Sequence, residues 1–193
     1  MNFLRWLFRL CISTTWNLPS FYTVPKLKRP DAEWCLSPNF LILKKREITC
    51  VVLHATATSA AKSPLEWLTN PDSKVSAHYL IGPDGKVWQL VDELNVAWHA
   101  GESEWGGRKH VNQFSIGIEL VNANDGKQVF PKEQLSACAS LVAAICQDYG
   151  IKLKDVIGHK DIATGRKTDP AGFDFDDFRL TVADIKRKGE EDA

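Results

Sequence analysis

The chain has 193 residues, 44% of them hydrophobic, which suits one domain with an ordinary core and is too short for two domains plus a linker. Lysine plus arginine (24) balances aspartate plus glutamate (24), so the broad cationic surface of a nucleic-acid binder is not expected. Nor is an integral membrane segment, because no uncharged apolar run approaches the roughly 20 residues of a membrane-spanning helix.

The N-terminal stretch MNFLRWLFRLCIS is apolar but carries Arg5 and Arg9 inside the run. A secretory signal places its charge ahead of an uninterrupted apolar segment and ends in a small-residue cleavage site, so a standard signal peptide is not expected. A helix over residues 1–12 would set Arg5 and Arg9 opposite Leu4, Leu7, Phe8 and Cys11. That face fits either weak contact with a membrane surface or packing on the chain's own domain. Residues 14–47 hold four of the nine prolines and little periodicity, which predicts an extended arm wrapped over the domain rather than a core element. The expected organisation is an arm over 1–36 and a folded domain over 37–193.

From Ile48 the texture changes. ITCVVLHATAT is a short apolar run rich in β-branched residues, as expected for a strand buried on both faces, and it delivers His54 to its C-terminal end. SPLEWLTN predicts a short helix with Ser63 as N-cap and Pro64 at the first helical position. SAHYLIGPDGKVWQLV holds two strand-like runs joined by Gly-Pro-Asp-Gly, a hairpin signature. AWHAGESEWGGRKHVNQ reads as a long functional loop. FSIGIELVN predicts another buried strand, with Phe114, Ile116, Ile118 and Leu120 on one side and Ser115, Gly117 and Glu119 on the other. PKEQLSACASLVAAICQDYG carries the apolar stripe of a long helix stopped at Gly150. DVIGH reads as a brief strand ending at His159, and FDFDDFRLTVADIKRK as a final helix. Strands and helices in this order predict a single α/β domain with a central mixed sheet flanked by helices.

Five cysteines, Cys11, Cys35, Cys50, Cys138 and Cys146, form no C-x-x-C pair, and their odd number leaves at least one unpaired in any monomeric disulfide scheme. Buried thiols are the plain reading, with a Cys35–Cys50 bridge left open.

His54 and His159 each follow a short apolar strand, where a histidine is either a satisfied surface residue or part of a site. With Asp169 they make two imidazoles and a carboxylate, a ligand set for a catalytic zinc that leaves a fourth position for water or substrate. Glu119 is either an acid/base beside that metal or a carboxylate in solvent or an ion pair. Lys167, two residues before Asp169 in an extended segment, is either a cation beside the metal or a solvated lysine.

The ordered set VVLHATAT, VSAHYLIGPDGKVWQLV, AWHAGES, NQFSIGIEL and GHKDIATGRKTDP resembles the zinc-dependent N-acetylmuramoyl-L-alanine amidases, the family of bacterial wall amidases, several phage endolysins and animal peptidoglycan-recognition proteins. The resemblance runs from about residue 37 to residue 178. It implies that His54, His159 and Asp169 hold Zn2+, that Glu119 is the acidic catalytic residue, that Lys167 lies near the scissile carbonyl, and that His99 and Asn112 meet the substrate. Ala77 stands where some phage members have tyrosine, so Glu119 is expected to carry the proton transfers. Asp169 replaces the cysteine of other members, His78 is expected to pack behind the site, and His110 has no assigned role.

The resemblance further implies hydrolysis of the amide between N-acetylmuramic acid and L-alanine, with peptidoglycan or muropeptide as partner and a monomeric enzyme. A non-catalytic peptidoglycan-binding module is the alternative, opposed by the complete ligand set, and a polymerase-binding regulator is a third that no residue selects. Without a clear signal peptide the chain is expected to be made in the cytoplasm and to act on the wall, with a bacteriolytic phage endolysin as the leading role.

Overall fold

Short β-branched runs build the centre of the molecule, in a computed structural model that describes residue 29 and residues 31–191. The expected helix over residues 1–12 lies outside the described residues. The strands are β1 Ala32–Trp34, β2 Phe40–Leu41, β3 Cys50–Ala55, β4 Tyr79–Ile81, β5 Val87–Gln89, β6 Val96–Ala97, β7 Glu104–Trp105, β8 Arg108–Lys109, β9 Ser115–Leu120 and β10 Val156–Gly158. The α-helices are α1 Lys62–Thr69, α2 Lys132–Tyr149, α3 His159–Ile162 and α4 Phe175–Glu191.

Six strands form one sheet in the order β1-β5-β4-β9-β3-β10. Only the β4–β5 hairpin is antiparallel within it, so the sheet is mixed, as expected. Side-chain alternation gives the sheet two different faces. Val51, Leu53, Ile116, Ile118 and Leu120 point into the main core, where Cys138, Val142 and Ile145 of α2 and Val182 of α4 cover them. Cys50 and Val52 of β3 point the other way, into a smaller cluster with Val111 and Ile162. The same face carries His54, which pairs in register with Glu119.

Helix α2 ends where expected, at Gly150, whose φ of 66° lies in the left-handed region that glycine adopts without strain. Near the start of α2, buried Gln134 donates from Nε2 to the carbonyls of Ile81 and Val121 at 2.9 and 3.1 Å. This ties the helix to the ends of β4 and β9. Helix α1 begins at Lys62, with Ala61 at the N-cap and no side-chain cap. Ser63 and Pro64 are therefore its second and third residues, within the first turn, where proline's missing N–H goes unused anyway.

Two further expectations need correction. The segment 14–47 is not wholly an arm outside the core: β1 is an edge strand parallel to β5, and Cys35 N and Ser37 N extend the pairing to the carbonyls of Gln89 and Leu90. Pro38 follows this pairing instead of interrupting it, and a three-residue strand is too short to show a period. Phe114 does not share a face with Ile116, because a single 3-10 turn over Val111–Phe114 precedes β9 and the alternation begins at Ser115. The plain reading of buried thiols holds among the described residues: Cys35 and Cys50 lie in separate clusters, and the bridge left open between them does not form. The expected long loop after residue 97 also contains a small hairpin, β7–β8, turned by Gly106 and Gly107.

Candidate active site

The parallel strands β3, β9 and β10 deliver their C-terminal ends side by side, the position at which open α/β sheets carry ligands. His54 is the fifth residue of β3, Glu119 the fifth of β9, and His159 follows β10 directly as the first residue of α3. Asp169 returns to them at the end of the segment 158–170, held there by the hydrogen bond from Lys160 N to Asp169 O at 2.9 Å. Within that segment the carboxylate of Asp161 accepts from Gly158 N at 2.8 Å, and Arg166 donates to the carbonyl of Glu102. The segment is thereby tied to the loop that carries His99.

The three residues expected as ligands converge. Nδ1 of His54 lies 3.1 Å from Nδ1 of His159 and 3.4 Å from Oδ2 of Asp169, and the last pair is 3.1 Å apart. Around an ion with ligand bonds of roughly 2.0–2.1 Å, tetrahedral donors lie about 3.3 Å from one another. Two imidazoles and a carboxylate at this separation fit a divalent metal, and they form the group among the described residues able to hold one.

All three side chains are buried, and the charges of His54 and Asp169 respond. Burial pulls His54 down to about 4, against the hydrogen bond with Asp169 that favours its protonated form. Burial also works against the charge of Asp169, but hydrogen bonds with His159 and His54 outweigh it and hold the carboxyl well below the usual range. An imidazole that stays neutral beside an ionised carboxylate is the protonation state metal binding requires.

Glu119 lies over the same end of the sheet. Its Oε2 is shielded from solvent and has no hydrogen-bond partner, and burial, with Asp169 nearby, pushes its carboxyl up to about 8. The charge of Lys167 acts in the opposite direction on that carboxyl, while Lys167 itself is exposed.

His99 and Asn112 are engaged within the protein. His99 Nδ1 lies 2.9 Å from His54 Nε2, and its Nε2 lies 3.0 Å from Oγ of Ser115. Burial holds His99 well below its ordinary value. Oδ1 of Asn112 accepts from the backbone N–H groups of His99 and Ala100 at 3.1 and 2.8 Å. Any contact with substrate is therefore left to the His99 ring surface and the Asn112 amide nitrogen. His78 packs behind them as expected: Nδ1 accepts from Gly117 N at 3.0 Å and Nε2 reaches Asn95 O at 3.1 Å. His110 is exposed, with φ 61°, at the start of the turn over Val111–Phe114.

Sequence reasoning missed Arg46. Its guanidinium donates to the carbonyls of Glu93, Asn95, Asn112, Gln113 and Ser115, and burial lowers it to about 10. It thus joins two loops beneath the site. In KKRE it looks like one more solvated cation, and no sequence signal separates it from Lys44 and Lys45.

The family model described as N-acetylmuramoyl-L-alanine amidase matches residues 44–172. N-acetylmuramoyl-L-alanine amidase AmiD of Escherichia coli is 41% identical over 137 residues, 64% of this chain and 49% of that protein. The 1,6-anhydro-N-acetylmuramyl-L-alanine amidase AmpD of the same organism is 41% identical over 111 residues, 57% of this chain and 60% of that one. The chain thus spans about half to three-fifths of the length of these relatives. A solved complex of E. coli AmiD with anhydro-N-acetylmuramic acid-L-Ala-D-γ-Glu-L-Lys superposes with a TM-score of 0.65 at 32% identity, covering 74% of this chain and 65% of that one. With the matched segment running through His54, Glu119, His159 and Asp169, the chain belongs to the N-acetylmuramoyl-L-alanine amidase family.

Proposed function

We propose that this protein is a zinc hydrolase that cleaves the amide between N-acetylmuramic acid and L-alanine in peptidoglycan or its fragments. The observation that carries the reading is the trio of donor atoms on His54, His159 and Asp169, spaced 3.1–3.4 Å apart beside the unpartnered Oε2 of Glu119. A zinc ion held there supplies Lewis-acid polarisation of the scissile carbonyl and acidifies water. Glu119, whose ionised form burial disfavours, would be favoured as a carboxylate once a cation occupied those ligands.

The chain's own groups then account for the proton traffic. Water adds to the carbonyl carbon as Glu119 takes its proton. As the C–N bond breaks, Glu119 returns that proton to the leaving amine of L-alanine. Lys167, two residues from Asp169, stabilises the charge that develops on the carbonyl oxygen. His99 and Asn112 bound the cleft, and the substrate class is supported by the muropeptide seen with AmiD.

The binding-only alternative is not favoured, because the ligand set and the acidic residue are complete. The endolysin role expected from the sequence has less support than a bacterial amidase of wall material, since AmiD and AmpD of E. coli are the 41% relatives. No helix among the described residues is long and apolar enough to cross a membrane. The reading is tested by incubating zinc-loaded protein with purified peptidoglycan and assaying new amino groups. Release that chelation abolishes and zinc restores supports it, whereas retention on the polymer without release supports the binding module.

A further inference from the structure

Behind the metal-facing side of His54 stands a second run of hydrogen bonds. Nε2 of His54 lies 2.9 Å from Nδ1 of His99, Nε2 of His99 lies 3.0 Å from Oγ of Ser115, and that hydroxyl lies 2.7 Å from the carbonyl of Val111. The direction of the run is fixed at its far end. A carbonyl only accepts, so the Ser115 hydroxyl donates to Val111, and its lone pairs remain to accept from Nε2–H of His99. A neutral imidazole has one ring proton, so Nδ1 of His99 is then an acceptor and pairs with Nε2–H of His54. That leaves Nδ1 of His54 bare, and Nδ1 is the atom that faces His159 and Asp169.

The ring of His99 is also held in place mechanically. It lies over Gly117, where an added Cβ would stand 2.4 Å from its Cγ, so a side chain on that strand position would displace it. Asn112 fixes the backbone at His99 and Ala100 from the other side.

We infer that His99 and Ser115 form a tautomer-setting relay that presents Nδ1 of His54 to the metal, with His99 a positioning residue. The inference rests on the metal reading above. A donor chain of this kind behind a ligating histidine orients the ring and raises its basicity, and losing it weakens metal binding by about 10–100-fold.

The test uses the full chain. Zinc affinity is measured by competition with a chromophoric chelator for the wild type, His99→Leu and His99→Asn, and imidazole nitrogen shifts are recorded for the zinc-loaded wild type. His99→Leu is expected to weaken zinc by about 10–100-fold. His99→Asn, whose amide oxygen can stand near the former Nδ1, is expected to recover most of that loss. In the wild type His99 should carry its proton on Nε2 and none on Nδ1. Equal affinity in all three proteins, an Asn variant as weak as the Leu variant, or a proton on Nδ1 of His99 overturns the relay. A wild-type chain that takes up no stoichiometric zinc instead overturns the metal reading on which the relay rests.

Discussion

His54 and Glu119 are register partners across β3 and β9, yet both ring nitrogens of His54 have partners, Nδ1 in His159 and Asp169 and Nε2 in His99, while Oε2 of Glu119 bonds to nothing. A buried carboxylate oxygen without a partner is rare in a folded protein and marks a place where a ligand, a water or an ion completes the arrangement. The pairing puts the proposed proton carrier and a proposed metal ligand on adjacent strands of one sheet, which fixes their separation without help from a loop.

Glu119→Gln should retain one zinc per chain and lose about 100-fold or more in turnover, the usual worth of a positioned acid/base. In the metal-free protein it should also change the pH dependence of stability. The folded value of about 8 lies above the ordinary 4.5, so the folded wild type holds the extra proton between them. That contribution to stability is complete below pH 4.5 and is lost as pH rises through 8. Urea midpoints at pH 5 and pH 9 should show the variant gaining on the wild type at the higher pH, and parallel behaviour would contradict the assignment.

Asp169→Ala and His54→Ala should each lose stoichiometric zinc and turnover together, because a trio reduced to two ligands no longer closes around the ion. Metal analysis after dialysis, set beside turnover of the same samples, checks this. Either variant retaining one tightly held zinc and full activity would place the metal elsewhere.

Gly117→Ala should destabilise the fold by about 1–3 kcal/mol, the ordinary cost of forcing an extra group into a packed interior. Its Cβ would stand within 2.4 Å of the His99 ring. Thermal unfolding measures the first effect, and chelator competition should show a weaker zinc site in the same protein.

His78 should remain neutral while the pH falls. Burial, with Arg46 close by, lowers it well below 6.5, and the hydrogen bond to Asn95 only partly opposes this. The facing ionisable groups are Arg46 and the ring of His99, 5.8 Å away between centroids. A folded value below the unfolded one means that this stability is present above pH 6.5 and is lost as pH falls toward the folded value. The His78 ring signals of the metal-free protein should stay flat from pH 8 to pH 5, and a midpoint near 6.5 would be contrary.

Arg46→Met should cost on the order of 3 kcal/mol, because removing one cation strands several half-buried carbonyls at once. Chemical denaturation provides the number. A change within a few tenths of a kcal/mol would mean that solvent takes over the bonds to Glu93, Asn95, Asn112, Gln113 and Ser115.

Much of the architecture is legible in the chain because it depends on local chemistry. The β-branched run before His54, the Gly-Pro-Asp-Gly turn and Gly150 each specify an element by themselves. His54 and His159 are visible as residues that end strands. Their convergence with Asp169 is not, since ligands drawn from distant segments have no fixed spacing, and only the resemblance to the amidases joined them. Ser115 and Gly117 are legible as the polar side of β9, but their use depends on a ring that arrives from the loop at residue 99. Arg46 is hidden for the opposite reason: its partners are backbone carbonyls, which no sequence pattern records.

Hydrolysis of one bond by the groups assembled around His54 is read out on a defined muropeptide. Mass spectrometry of the products formed by zinc-loaded protein should show the sugar with a free lactyl carboxyl and the stem peptide with a free L-alanine amino terminus. Intact muropeptide, or cleavage at any other bond, would contradict it.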